Sequence, residues 1–140
     1  MLSAEYVVGL VDGEGSFSVH VAAEHSVAKR RAKVEPRFFV KLIERDKRLL
    51  EELQAFFNSG TLYFQRDDRP NHQHCYRYEV YNREELAMTI VPFFETHPLR
   101  TISKQRDFLF FREILARVRR KEHFTETGLA GIRVLQTQMH

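Results

Sequence analysis

Asp12 and Glu14 stand two residues apart, each followed by a glycine, directly after the apolar run at residues 6–11. Ser3 is a good N-cap type, so the pattern predicts a helix over residues 4–12 with both carboxylates at its C-terminus. That end carries the negative pole of the helix dipole, an unfavourable place for anions. Two accounts stay open at this point: a compensating cation, or a polar turn joining the helix to the next element. Tyr6, Val7, Val8, Leu10 and Val11 put apolar surface on nearly every side, and a helix of that kind must be covered all round. Gly9 and Gly13, four apart, share one face and would let another backbone approach closely.

Other chemistry-bearing residues are weaker signals. His72, His74 and Cys75 are zinc-ligand types, but no further ligands accompany them, and a polar turn accounts for them better. A single cysteine excludes an intramolecular disulfide and a cysteine-based zinc site. The net charge is only +3, which names no partner by itself. Its distribution is uneven, with basic residues gathered at Lys29-Arg30-Arg31, Lys33, Arg37 and Lys41, and again at Arg117, Arg119, Arg120 and Lys121. An isolated run of this kind is ordinarily a solvated face.

The elements that must position these residues follow from periodicity. Phe17, Val19 and Val21 alternate with Ser16, Ser18 and His20, a strand with one apolar face. Val34, Phe38, Val40 and Leu42 oppose Lys33, Glu35, Arg37 and Lys41 in a second strand. Asp46 is expected to cap a helix carrying Leu49, Leu50, Leu53, Phe56 and Phe57, which ends at Asn58-Ser59-Gly60. The same parts then repeat: strands at 61–65 and 74–81 around a turn, and a helix capped by Asn82 that Pro92 kinks or ends. Helices over residues 102–120 and from Thr125 onward complete the chain. Most of the 12 phenylalanines occur in pairs inside apolar runs, which suits core packing. The expected fold class is α+β with an antiparallel sheet, in one domain over residues 1–140. No stretch has the apolar length of a membrane span, and the first residues lack a signal-peptide layout, so a soluble intracellular setting is expected, bacterial cytoplasm or organelle.

Val7-Val8-Gly9-Leu10-Val11-Asp12-Gly13-Glu14-Gly15 resembles the LAGLIDADG motif of homing endonucleases, with Val7-Val8 in place of Leu-Ala. The similarity runs on through Ser16-Phe17, Glu44-Arg45-Asp46-Lys47, Phe56-Phe57 to Gly60, Tyr81-Asn82-Arg83-Glu84-Glu85-Leu86 and Ile90-Val91-Pro92-Phe93-Phe94. It continues in His97-Pro98-Leu99-Arg100-Thr101, Lys104-Gln105-Arg106-Asp107-Phe108 and Lys121-Glu122-His123-Phe124-Thr125 with Gly128-Leu129. The resemblance implies the family's saddle-shaped antiparallel sheet and the order helix, strand, strand, helix, strand, strand, helices. It implies a site-specific, metal-dependent endonuclease that cuts both strands of DNA.

In that family two motif helices pack together through small residues, and their last acidic residues meet at the base. The resemblance therefore assigns the dimer contact to Val8, Gly9 and Asp12, with Asp12 orienting the turn. It assigns metal binding to Glu14 and the Gly13 carbonyl, and catalysis to Glu14, Lys104 and Glu44. Glu44 stands where relatives often carry a glutamine that positions water; a carboxylate there either holds water or metal, or repels phosphate. Phosphodiester hydrolysis needs an activated water and a neutralised leaving oxygen, which hard Mg²⁺ or Mn²⁺ on oxygen ligands supplies. Only one motif is present, so a homodimer and a near-palindromic DNA target are expected. Ser18, His20, Lys33, Arg37, Lys41, Gln65 and Arg77 are the candidates for reading DNA from the strand faces. Arg30, Arg31, Arg119 and Arg120 are candidates for phosphate contact. An RNA partner belongs only to the alternative, a maturase or regulator that binds without cutting.

Overall fold

The computed structural model describes residues 1–22 and 33–140, so Lys29, Arg30 and Arg31 lie outside the described residues. Helix α1 (Ala4–Glu14) leads into β1 (Gly15–Ala22), which pairs antiparallel with β2 (Lys33–Ile43). A 3-10 turn at Glu44–Asp46 precedes α2 (Lys47–Phe57). Strands β3 (Thr61–Gln65) and β4 (Cys75–Val80) follow, then α3 (Arg83–Glu85) and α4 (Val91–Thr96), α5 (Ile102–Arg119) and α6 (Glu126–Thr137). The sheet order is β1-β2-β4-β3, antiparallel throughout, as the alternating patterns predict.

Strict alternation gives this sheet one dry face. Phe17 and Val19 of β1, Val34, Phe38 and Val40 of β2, and Tyr78 and Val80 of β4 are buried against the helices. Leu50, Leu53 and Phe57 of α2 and Phe94, Phe108 and Phe111 of the later helices meet them. Phe17 sits at the hub, its ring centroid 5.2 Å from Phe38 and from Phe111 and 5.6 Å, edge-on, from Phe94. Phe38, Phe57, Phe94 and Phe111, one ring from each pair, thus join Phe17 and Phe108 in one core, and each fully buried ring contributes on the order of 2–3 kcal/mol from burial. The opposite face of the sheet is left open, and it carries the polar alternation.

Two local expectations change. Asp46 lies within the 3-10 turn, and its side chain makes no capping hydrogen bond to α2. The chain enters that helix through consecutive turns, so its first amides are reached without a carboxylate. Pro92 does not end its helix: a wider π-turn at Leu86–Ile90 precedes the proline, with the Val91 amide bonding back to the Leu86 carbonyl, and α4 runs on to Thr96. Widening by one residue removes the clash between the ring and the carbonyl four residues earlier. Gly60 is required where α2 turns into β3: its φ is +88°, and an added Cβ would stand 2.6 Å from the Tyr78 ring. The Tyr78 hydroxyl donates to the Ser59 carbonyl at 2.8 Å, and burial pushes its pKa upward.

His123 is buried at the α5–α6 junction, and burial first, then the Arg83 charge, holds its imidazole below the ordinary 6.5. The unfolded chain therefore takes up this proton at a higher pH than the folded chain. The stability His123 contributes is intact above pH ~6.5 and is lost as pH falls below it. Thermal midpoints measured from pH 7 to pH 5 are expected to fall less steeply in His123→Leu than in the parent; equal slopes exclude the effect.

Candidate active site and nucleic-acid face

The two carboxylates of α1 are solved differently by the fold. Ser3 caps the helix start by accepting from the Tyr6 amide at 3.1 Å. At the other end, Asp12 reaches the start of α5. Its Oδ1 accepts from the Arg100 amide, the Thr101 amide and the Thr101 hydroxyl at 3.1, 3.1 and 3.0 Å, and Oδ2 accepts from the Arg100 amide at 2.9 Å. The negative end of one helix is thereby joined to the positive end of another, which answers the dipole objection for Asp12. Glu14 has no such answer. It is exposed, and among the described residues it has neither a hydrogen-bond partner nor an ion pair.

Gly15 locks the turn after Glu14. Its amide donates to the Val11 carbonyl, and an added Cβ would lie 2.9 Å from Val11 backbone atoms, so no side chain fits. Gly15 then pairs with Val40, fixing the helix end at the level of Val40 and Lys41 on the sheet. Lys104 is half-buried in the first turn of α5, three residues after Thr101, whose hydroxyl accepts from its amide at 3.4 Å. A cation there opposes the helix dipole just as Glu14 does at the other end. Asp12 holds these two unfavourably placed charges on neighbouring helix ends. Asp12→Ala leaves three donors at the start of α5 without their acceptor, so a loss of about 1–2 kcal/mol is expected in denaturation.

The donor set fits a hard divalent ion. Glu14 offers a free carboxylate, and Gly13 lies in the last helical turn, whose carbonyls have no intrahelical donor. Among the described residues no three His, Cys, Asp or Glu side chains gather to hold a metal, so one chain supplies few ligands. Glu44 is exposed just beyond β2, its amide bonded to the His74 carbonyl at 2.9 Å. It lines a depression with Arg45, Asp67, Asp68, Arg69, His72 and His74 on the β3–β4 turn. His74 Nδ1 accepts the Asp67 amide at 2.9 Å, and Cys75 lies against the Gln73 carbonyl.

One flank of α1 is bare. Tyr6, Gly9, Gly13 and Glu14 are exposed, Leu10 is half-buried, and an added Cβ at Gly9 or Gly13 meets nothing within 4 Å. Val8, by contrast, is buried within the chain, along with Val7 and Val11. The covering of the helix is thus supplied on one side only.

All seven strand candidates fall on the open face of the sheet. Ser18 pairs with Arg37, and Lys41 pairs with Arg77, which pairs in turn with Tyr63. His20, Lys33 and Lys41 are exposed; Ser18, Arg37, Gln65 and Arg77 are half-buried. The arginines are engaged. Arg37 bonds Glu35 at 2.7 Å, which lowers the Glu35 pKa and raises that of Arg37. Arg77 bonds Glu79 at 2.9 Å and lies over the Phe39 ring at 3.5 Å. Glu79 is only 6% exposed, so it is no solvated strand charge. Nothing in the alternation separates a solvated from a buried outward-facing glutamate; only the two flanking arginines hinted at it. On the helical side, Arg119 pairs with Glu84 at 2.7 Å and Arg120 with Glu122 at 2.6 Å.

Comparison with known proteins bears on the fold and the family. Residues 7–115 match the family described as LAGLIDADG endonuclease. The homing endonuclease I-ApeII of Aeropyrum pernix is 30% identical over 118 residues, 84% of this chain and 65% of that protein. The probable intron-encoded endonuclease 2 of Neurospora crassa is 29% identical over 134 residues, 96% of this chain but 26% of that protein. The chain thus spans less than two thirds of the length of these curated relatives. Among solved structures, the homing endonuclease I-TnaI superposes with a TM-score of 0.84 at 37% identity, over 99% of this chain and 88% of that one. I-SmaMI bound to cleaved DNA gives 0.87 at 33% identity, over 100% of this chain and 44% of that one. With the family pattern covering most of its residues and the I-TnaI fold matching nearly end to end, the chain belongs to the LAGLIDADG endonuclease family.

Proposed function

We propose that this chain is a site-specific, divalent-metal-dependent DNA endonuclease of the homing type, acting as a homodimer on a near-palindromic target. The observation that carries it is the contrast between Asp12, fully hydrogen-bonded, and Glu14, exposed and uncompensated two residues later. Glu14 and the Gly13 carbonyl would hold Mg²⁺ or Mn²⁺, which supplies an activated water and neutralises charge on the leaving oxygen. One carboxylate per chain suffices for such an ion when phosphates and waters complete its shell.

The protein's own part is positioning. Asp12 ties the end of α1 to the start of α5, so that Glu14 and Lys104 are set on one rigid frame. Lys104 would face the phosphates and offset charge that develops there. The bare flank at Gly9 and Gly13 would receive the same flank of a second copy, bringing two Glu14 side chains together on a two-fold axis. The near-complete match to I-TnaI, against less than half of I-SmaMI, supports one such unit per chain. The open sheet face, with its lysines and arginines, would lie in the major groove.

Metal removal tests the chemistry. Chelation by EDTA is expected to abolish cleavage of a selected DNA target while binding persists, and added Mg²⁺ or Mn²⁺ to restore it. Cleavage that continues in excess chelator would contradict the assignment of Glu14.

A further inference from the structure

The open sheet face carries two kinds of cation. Lys33 and Lys41 are exposed and make no ion pair among the described residues. Arg37 and Arg77 converge on one oxygen: Glu79 Oε1 lies 2.9 Å from Arg77 Nη2 and 3.5 Å from Arg37 Nη1. Glu35 holds Arg37 from the other side, and the Phe39 ring supports the Arg77 guanidinium. Two carboxylates against two guanidiniums leave this cluster with no net charge, so it is not built to attract phosphate. What it has is fixed geometry. The Nε atoms of both arginines and the Oε1 of Gln65 are buried without partners among the described residues. They belong to one depression of about 500 Å³, lined also by Tyr63 and Tyr81.

Resting on the DNA-binding reading above, we propose that Glu79 is a specificity-determining positioning residue, holding Arg37 and Arg77 ready to read base edges while Lys33 and Lys41 engage phosphates. A carboxylate buried on a nucleic-acid face repels phosphate, so its presence there weakens general binding. The compensation is that two long side chains, otherwise mobile, are held in single rotamers, which favours bidentate reading of a base over promiscuous contact with the backbone.

The test is selection of bound duplexes from a randomised DNA library, run with the parent, Glu79→Gln and Phe39→Leu, together with affinity for an unrelated duplex across a salt series. Glu79→Gln is expected to lose base preference about tenfold or more at a few positions per half-site. It should also bind unrelated DNA a few-fold tighter, with a salt slope steeper by about one. Phe39→Leu keeps every charge, so it is expected to lose preference at overlapping positions with no gain in unrelated binding. It carries the test if Glu79→Gln does not fold. A merely structural role for Glu79 would weaken specific and unrelated binding together, and that result overturns the proposal. So does an unchanged preference profile in both variants. If the parent itself selects no sequence, the DNA-binding reading fails, and the Glu79 proposal fails with it.

Discussion

Glu14→Gln is expected to lower double-strand cleavage at least ~100-fold while leaving DNA affinity within a few-fold of the parent. Even residues that only orient a metal ligand cost about 10–100-fold when replaced, and Glu14 is proposed as a ligand itself. The change removes one negative charge and almost no volume. In the protomer it disturbs nothing, because Glu14 is exposed and has no partner among the described residues. Thermal stability should therefore be unchanged or slightly higher, since an anion is withdrawn from the negative end of α1. The informative comparison is Asp12→Asn, which should be destabilised because Asp12 accepts four hydrogen bonds. A Glu14→Gln protein that cuts normally would remove the metal centre from α1.

Gly9→Leu is expected to split two properties that usually move together. Glycine inside a helix costs about 1 kcal/mol relative to good helix formers, and nothing in the chain lies within 4 Å of an added Cβ. The protomer should accordingly become slightly more stable to denaturation. At the proposed helix pair across a two-fold axis the same side chain would have no room. Overpacking costs typically 1–3 kcal/mol per misfit and is counted twice by symmetry, so dimerisation should weaken by roughly 30-fold or more. Cleavage should fall with it, since the proposed centre takes Glu14 from two copies. Sedimentation with and without DNA reads the dimer, and denaturation midpoints read the fold. A Gly9→Leu protein that stays dimeric and active would move the interface elsewhere.

Much of the fold is written in alternation and periodicity. The four strands, the pairing faces and the long helices are visible because each buries one face and leaves the other wet. The seven strand candidates share a face for the same reason: a period of two puts Arg37, Lys41, Arg77 and Gln65 opposite Phe38, Val40 and Tyr78. What periodicity does not carry is long-range polar contact. The bond from Asp12 to Arg100 and Thr101 crosses 88 and 89 positions, and no local pattern marks it. Glu79 is similar: alternation shows that it faces outward, not that two arginines and a neighbouring ring bury it. Asp46 misled because a good capping residue type sits where the backbone turns in by another route, and Pro92 because one extra residue in the turn absorbs it. The apolar helix α1 was legible as a helix that needs cover on all sides; the structure shows which side lacks it.

The purified protein is expected to cut both strands of DNA at chosen sites, using Glu14 from two copies. The most direct measurement is incubation with a large library of duplex DNA targets and Mg²⁺, followed by sequencing of cleaved ends, with Glu14→Gln in parallel. Defined cleavage of both strands, near-palindromic recovered targets and no cut ends from Glu14→Gln are expected. Selective binding of DNA or RNA without any cleavage, across Mg²⁺ and Mn²⁺ and the whole library, would contradict this expectation and favour a binding protein built on the same fold.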